Sequence, residues 1–114
     1  MKYGAPERGD ILHLTLDPAL GREQQGKRYV LVLSPLEFNR FGVALVCPIT
    51  SGGTFAREHG FAVPIAGTAG SVEGVVLCHQ CRTLDYKVRG AKWVEKLSAS
   101  VLDEVLARVR TLVD

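Results

Sequence analysis

Residues 17–34 read DPALGREQQGKRYVLVLS. The second half holds an apolar, β-branched-rich run from Tyr29 to Leu33, suited to a central strand, and Pro35 stops it from continuing. The first half is a loop with more polar function than a connection needs. A turn between strands requires a Gly and a polar residue or two. Here Arg22, Glu23, Gln24, Gln25, Lys27 and Arg28 crowd together. A strand fed by such a loop points to a β fold with chemistry at its strand ends.

The flanking segments extend the pattern. GDILHLTL (9–16) alternates, with Leu12, Leu14 and Leu16 on one face and Ile11, His13 and Thr15 on the other. That alternation predicts a half-buried strand. PLEFNR (35–40) suits one helical turn. GVALVCPIT (42–50) reads as a strand closed by the polar SGGT, and GFAVPI (60–65) as a short one that Pro64 assigns to an edge or a bulge. EGVVLCHQCRTLD (73–85) reads as one further strand. AKWVEKL (91–97) reads as the last, its apolar contacts led by Trp93 and Val94. The period then changes. Val101, Leu102, Val105, Leu106, Val109, Leu112 and Val113 recur at helical spacing, with Ser98 or Ser100 as the cap and Ser100 with Asp103 as a capping box. Five or six short strands and one amphipathic helix make a small, strongly bent antiparallel barrel with the helix packed against it.

The chain has 114 residues, the size of one domain, and 46% of them are hydrophobic, enough for a real core. No apolar run approaches the roughly 20 residues a membrane helix needs. MKYGAPERGD (1–10) lacks a signal-peptide core, so the expected location is the cytoplasm, without membrane contact. The net charge of +2 permits an anionic partner without demanding one. The three cysteines, Cys47, Cys78 and Cys81, form an odd set that fits reduced, structural thiols. CHQC (78–81) lacks the second ligand pair a zinc site needs, and residues three apart on a strand point to opposite faces. No metal or cofactor is expected.

Three polar clusters fall at strand ends: Arg22–Arg28, TSGGTF (50–55), and HQCR (79–82) with His79, Gln80 and Arg82. Closing the strands into a barrel lets them meet on one rim. Guanidinium groups bind phosphate bidentately, Gln and Glu read base edges, and Phe55 stacks on bases. Taken singly, each cluster also reads as a solvated loop or turn. Residue types and spacing alone reach a small β-rich domain with an anion-binding rim.

RGDI (8–11), DPALGREQQGKR (17–28), VLVLSPLEFNR (30–40), VCPITSGGTFAREHGFAVPI (46–65) and GVVLCHQCRTLD (74–85) resemble the MazF/PemK toxins of bacterial toxin–antitoxin systems, in the family's order and near its spacing. The PemK branch is the nearer one. The resemblance covers nearly the whole chain and implies a single toxin domain over 1–114. It implies an SH3-like, PemK-like barrel that forms a homodimer. The implied activity is metal-independent endoribonuclease cleavage of single-stranded mRNA at short sequences. A cognate antitoxin would block the groove with its disordered C-terminal tail, and promoter DNA would be bound only through the antitoxin complex.

Carried over residue by residue, the catalytic arginine falls on Arg28 and the strand-end threonine on Thr50. The loop Glu and Gln fall on Glu23 and Gln24, and Ser51 and Phe55 match positions lining the RNA groove. Three positions depart. Tyr29 stands where the family usually has proline, Arg22 where the PemK branch has a loop histidine, and Leu77 and His79 where it has Arg and Asp. His79 and Glu23 are then the candidates for proton transfer, and Arg22, Gln25 and Lys27 join the RNA contacts. Competing readings are a non-catalytic module that binds RNA or an antitoxin-like tail, and an SH3-like subunit that recognises peptide.

Overall fold

In the computed structural model of the protein, residues 1, 4–17, 26–51, 59–65 and 72–114 are described. Seven strands occur among them: β1 (Asp10–Thr15), β2 (Lys27–Val32), β3 (Ala44–Thr50), β4 (Ala62–Pro64), β5 (Val75–Leu77), β6 (Arg82–Leu84) and β7 (Lys92–Lys96). The described residues also hold the α-helices α1 (Leu36–Asn39) and α2 (Ala99–Arg110). The strands form one antiparallel sheet in the order β4-β5-β3-β2-β1-β7, with β6 also paired to β3. The expected barrel is therefore bent but left open at the β4 and β7 edges among the described residues. Pro64 lies on edge strand β4, where its missing N–H costs no central ladder bond.

A core lies on each face of the sheet. Ile11, Leu31, Cys47, Ile49 and Val76 pack under α2, which contributes Val105 fully and Val101, Leu102, Leu106 and Val109 in part. Leu12, Leu14, Leu16, Val30, Val32, Val46 and Tyr86 fill the opposite face. β1 is thus covered on both sides at Ile11 rather than half-buried along its length, and only His13 and Thr15 open toward solvent. The second core is tied by a polar knot. The buried Asn39 amide donates to Pro6 O (2.8 Å) and Ser34 O (2.9 Å), and its Oδ1 accepts from Ser34 Oγ. Tyr86 Oη donates to Asn39 O at 2.6 Å.

Three expectations are corrected. The strand predicted over 73–85 is broken: β5 and β6 flank a 3₁₀ turn, Cys78–Gln80. The register gives the reason. β3 pairs Ile49 with Val76 and Val46 with Arg82. Three steps along β3 therefore face six along the other chain, and the surplus is coiled into the turn. Trp93 does not lead a buried contact; it is half-exposed on edge strand β7. Ser98, one of the two expected caps, caps α2 through its carbonyl to Leu102 N, with no side-chain bond. The helix stops at Arg110, leaving Leu112 and Val113 exposed.

Candidate active site

The β2–β3 ladder ends where β2 begins and β3 finishes. Tyr29 faces Ile49 in the last pair of that ladder, and Arg28 and Thr50 are the next residue of each strand. One row back, on the other face, His13 faces Tyr29, Tyr29 faces Ile49 and Ile49 faces Val76. This row continues the one that buries Ile11, Leu31 and Cys47, at the point where the core gives way to solvent.

At this open end lies a cleft of about 330 Å³, lined by His13, Lys27, Arg28, Tyr29, Ile49, Thr50, Ser51 and Glu73. As a sphere it would be roughly 9 Å across, the scale of one nucleotide. Residues of both sheet faces reach it, because the strand ends let the cleft run over the rim. The Arg28 side chain is exposed, and Nη1 donates to Lys27 O at 3.2 Å. The His13 and Tyr29 rings meet at 4.9 Å with a 48° tilt. Lys92 of β7 faces His13 across the β1–β7 ladder.

Backbone geometry positions the rim. Gly74 has φ +137°, and a Cβ there would stand 2.6 Å from Thr50 O. Only glycine lets β5 close against β3 at Thr50 and bring Glu73 to the cleft. The polar loop is held at its base. Asp17 Oδ1 accepts from Gly26 N at 2.9 Å, Gly26 O accepts from Leu16 N at 2.8 Å, and Arg89 Nη1 donates to Asp17 O at 2.9 Å.

The expected site residues divide into three sets. Lys27, Arg28, Thr50 and Ser51 meet in the cleft. Arg22, Glu23, Gln24, Gln25 and Phe55 lie outside the described residues. His79, Gln80 and Arg82 do not line this cleft. His79 sits in the 3₁₀ turn beyond the far end of β5 and stacks on Phe61 at 5.2 Å, where burial lowers its pKa. Two cleft residues were missed. His13 figured in the sequence only as a strand residue alternating with Leu12 and Leu14 on the face of Ile11, with no functional signal of its own. Glu73 carries no local signal, because only the Gly74 approach to β3 brings it in.

The cysteines meet elsewhere. Cys47 and Cys78 are buried, Cys81 half-buried, and all three are free thiols. Interaction with Cys81 and burial push the Cys47 thiol up, and interaction with Cys47 lowers that of Cys81 to about 6. Burial raises Cys78 to about 11. Among the described residues, no group of three or more His, Cys, Asp or Glu is placed to hold a metal ion. None of the described helices is long and apolar enough to cross a membrane.

A bent antiparallel sheet with Lys27 and Arg28 at a cleft over its rim defines a small β protein with a cationic rim. Comparison with known proteins makes the class specific. Residues 7–113 match the family described as the PemK-like, MazF-like toxin of type II toxin–antitoxin systems, and the chain belongs to it. It is 48% identical over 107 residues to endoribonuclease PemK of Escherichia coli, covering 93% of this chain and 80% of that one. It is also 48% identical over 109 residues to endoribonuclease toxin ChpB of Escherichia coli strain K12, covering 95% and 94%. The MazF crystal structure from Deinococcus radiodurans superposes with a TM-score of 0.87 at 35% identity, covering 96% of each chain. A MazE–MazF structure from the same organism superposes at 0.80 with 36% identity and the same coverage.

Proposed function

We propose that this chain is the endoribonuclease toxin of a type II toxin–antitoxin pair, cutting single-stranded mRNA in the cytoplasm. The observation that carries the reading is that Arg28 and Thr50, at the adjoining ends of β2 and β3, line one nucleotide-sized cleft. Family membership and the endoribonuclease relatives support it.

RNA carries its own nucleophile. The 2′-OH attacks the adjacent phosphorus in line, leaving a 2′,3′-cyclic phosphate and a 5′-OH end. The protein holds that geometry, stabilises the added charge and moves two protons. Arg28 stabilises the phosphorane and Thr50 donates to a non-bridging oxygen. Arg28 is a poor base, because a guanidinium keeps its proton. We assign proton transfer to Glu73 and His13, which line the cleft beside Arg28. The carboxylate takes the 2′-OH proton and the imidazolium protonates the leaving 5′ oxygen. His79 does not line the cleft and takes no part in this scheme. Lys27 and Ser51 hold flanking phosphates; Glu23 and the loop residues Arg22, Gln24 and Gln25, with Phe55, supply base and backbone contacts. The toxin acts as a homodimer and is neutralised by an antitoxin, through which alone it meets promoter DNA. The MazE–MazF structure supports the antitoxin.

The test incubates the protein with a long single-stranded RNA in excess EDTA, beside Arg28→Ala. Discrete cuts with cyclic phosphate and 5′-OH ends, reduced roughly 100-fold in the variant, support the enzyme. RNA that is bound but left intact, with no growth arrest on induction, assigns the chain to a binding module instead.

A further inference from the structure

We infer that Cys47 and Cys81 are a peroxide-oxidisable dithiol within one chain, with Cys81 the site first oxidised and Cys47 the residue that closes the disulfide. The inference concerns thiol chemistry alone and holds whether or not the chain cuts RNA.

Register carries it. β3 and β6 pair Ala44 with Leu84, Leu45 with Thr83 and Val46 with Arg82. Cys47 and Cys81 are the next residue on each side, and Cys81 keeps extended backbone, so continuing the register by one step would oppose them. Opposed residues of an antiparallel pair stand with Cα atoms roughly 4.5–5.5 Å apart, inside the span a disulfide bridges without moving the backbone. Both side chains turn to the α2 face of the sheet, where Cys81 packs against the core that contains Cys47. The opposite pKa shifts of the two thiols, each caused chiefly by the other, agree with that placement.

The CxxC spacing suggests a different pair, Cys78 with Cys81. The 3₁₀ turn sets them apart in role. Cys78 is buried, its sulfur lies 3.7 Å from Val76 O, and its thiol stays protonated. The charged neighbours Arg108 and Glu104 of α2 act on Cys78. Cys81 combines partial exposure with the thiolate character that nucleophilic attack requires. Cys47 has no solvent access, so it reacts only with what Cys81 presents.

The oxidant is a hydroperoxide. The Cys81 thiolate attacks the distal peroxide oxygen; the O–O bond breaks, an S–O bond forms, and the leaving hydroxide takes a proton to become water. Cys47 sulfur then attacks the Cys81 sulfenic sulfur. The S–S bond forms, the S–O bond breaks, and the Cys47 proton leaves with the hydroxyl as a second water. Two thiols lose two electrons, and one peroxide gains them.

The experiment uses the reduced full chain. It is treated with about a tenfold excess of hydrogen peroxide, blocked with N-ethylmaleimide and digested with trypsin without reductant. The expected product links peptide 41–57 to peptide 58–82 through Cys47 and Cys81, with N-ethylmaleimide on Cys78, and dithiothreitol dissolves it. Cys78→Ala is expected to form the same link. Cys47→Ser is expected to leave a sulfenic acid on Cys81 that dimedone traps. Three alkylated thiols after peroxide, a link through Cys78, or a link between two chains would each overturn the inference.

Discussion

Gly74→Ala tests the rim of the cleft and the fold together. The new Cβ would sit 2.6 Å from Thr50 O and 3.1 Å from Thr50 C. Ordinary contact lies near 3.3 Å, so well over half an ångström must be found in a paired strand. Two costs add. Holding an L residue at φ +137° costs about 1–2 kcal/mol. Forcing β5 away from β3 costs a further 1–2 kcal/mol or about that. In a domain of this size each kcal/mol lowers Tm by roughly 4 °C, so the variant should melt roughly 8–16 °C below the parent. Gly26→Ala is the control. Its φ is +80° and nothing lies within 4 Å of the added Cβ, so it carries only the first cost, roughly 4–8 °C. Thermal melts followed by circular dichroism compare the two. Single-turnover cleavage below both transitions then reads the site. A displaced Thr50 should slow Gly74→Ala by roughly 10- to 100-fold. If Gly74→Ala melts with Gly26→Ala and cleaves like the parent, the contact with Thr50 does not position the cleft.

Other substitutions separate the roles assigned above. His13→Gln should slow cleavage about 100-fold or more, whereas His79→Gln should stay within about threefold; single-turnover rates decide between them. Asn39→Ala should cost about 2–4 kcal/mol in urea denaturation, because Pro6 O and the Ser34 hydroxyl lose a buried partner. Cys81 should be the first thiol alkylated by iodoacetamide. Its lowered pKa keeps it a thiolate at pH 7, so the rate should be flat above neutrality and fall below about pH 6, as peptide mapping over time would record.

The strands were legible where a local pattern determines them. The alternation in 9–16 and the β-branched run at 29–33 located β1 and β2 because their pairing partners are near in sequence. The break at Cys78–Gln80 was not legible. No Gly or Pro marks it, and its cause is distant: β5 and β6 pair with opposite ends of β3. Trp93 was misjudged because an edge strand and an inner strand share the same local pattern, and only the sheet order distinguishes them. Within the site, Arg28 and Thr50 were reached through the family motifs, and the ladder then explains their meeting. His13 looked inert because alternation says which face a residue is on, not where along that face the core stops. Glu73 depends on one glycine contact across the sheet.

The placement of β7 bears on when a newly made chain acquires its site. β1 lies between β2 and β7, and Leu97 N donates to Gly9 O at 2.8 Å while Lys96 Nζ pairs with Asp10 at 2.9 Å. Every described residue of the cleft precedes Gly74, yet the strand carrying His13 is fastened along its outer side by residues 89–97. Synthesis proceeds from the N-terminus, and contacts this distant in sequence form late. A nascent chain therefore exposes its cleft residues before it can hold them in register. The nuclease would become competent only after β7 docks, which separates completing the polypeptide from arming it.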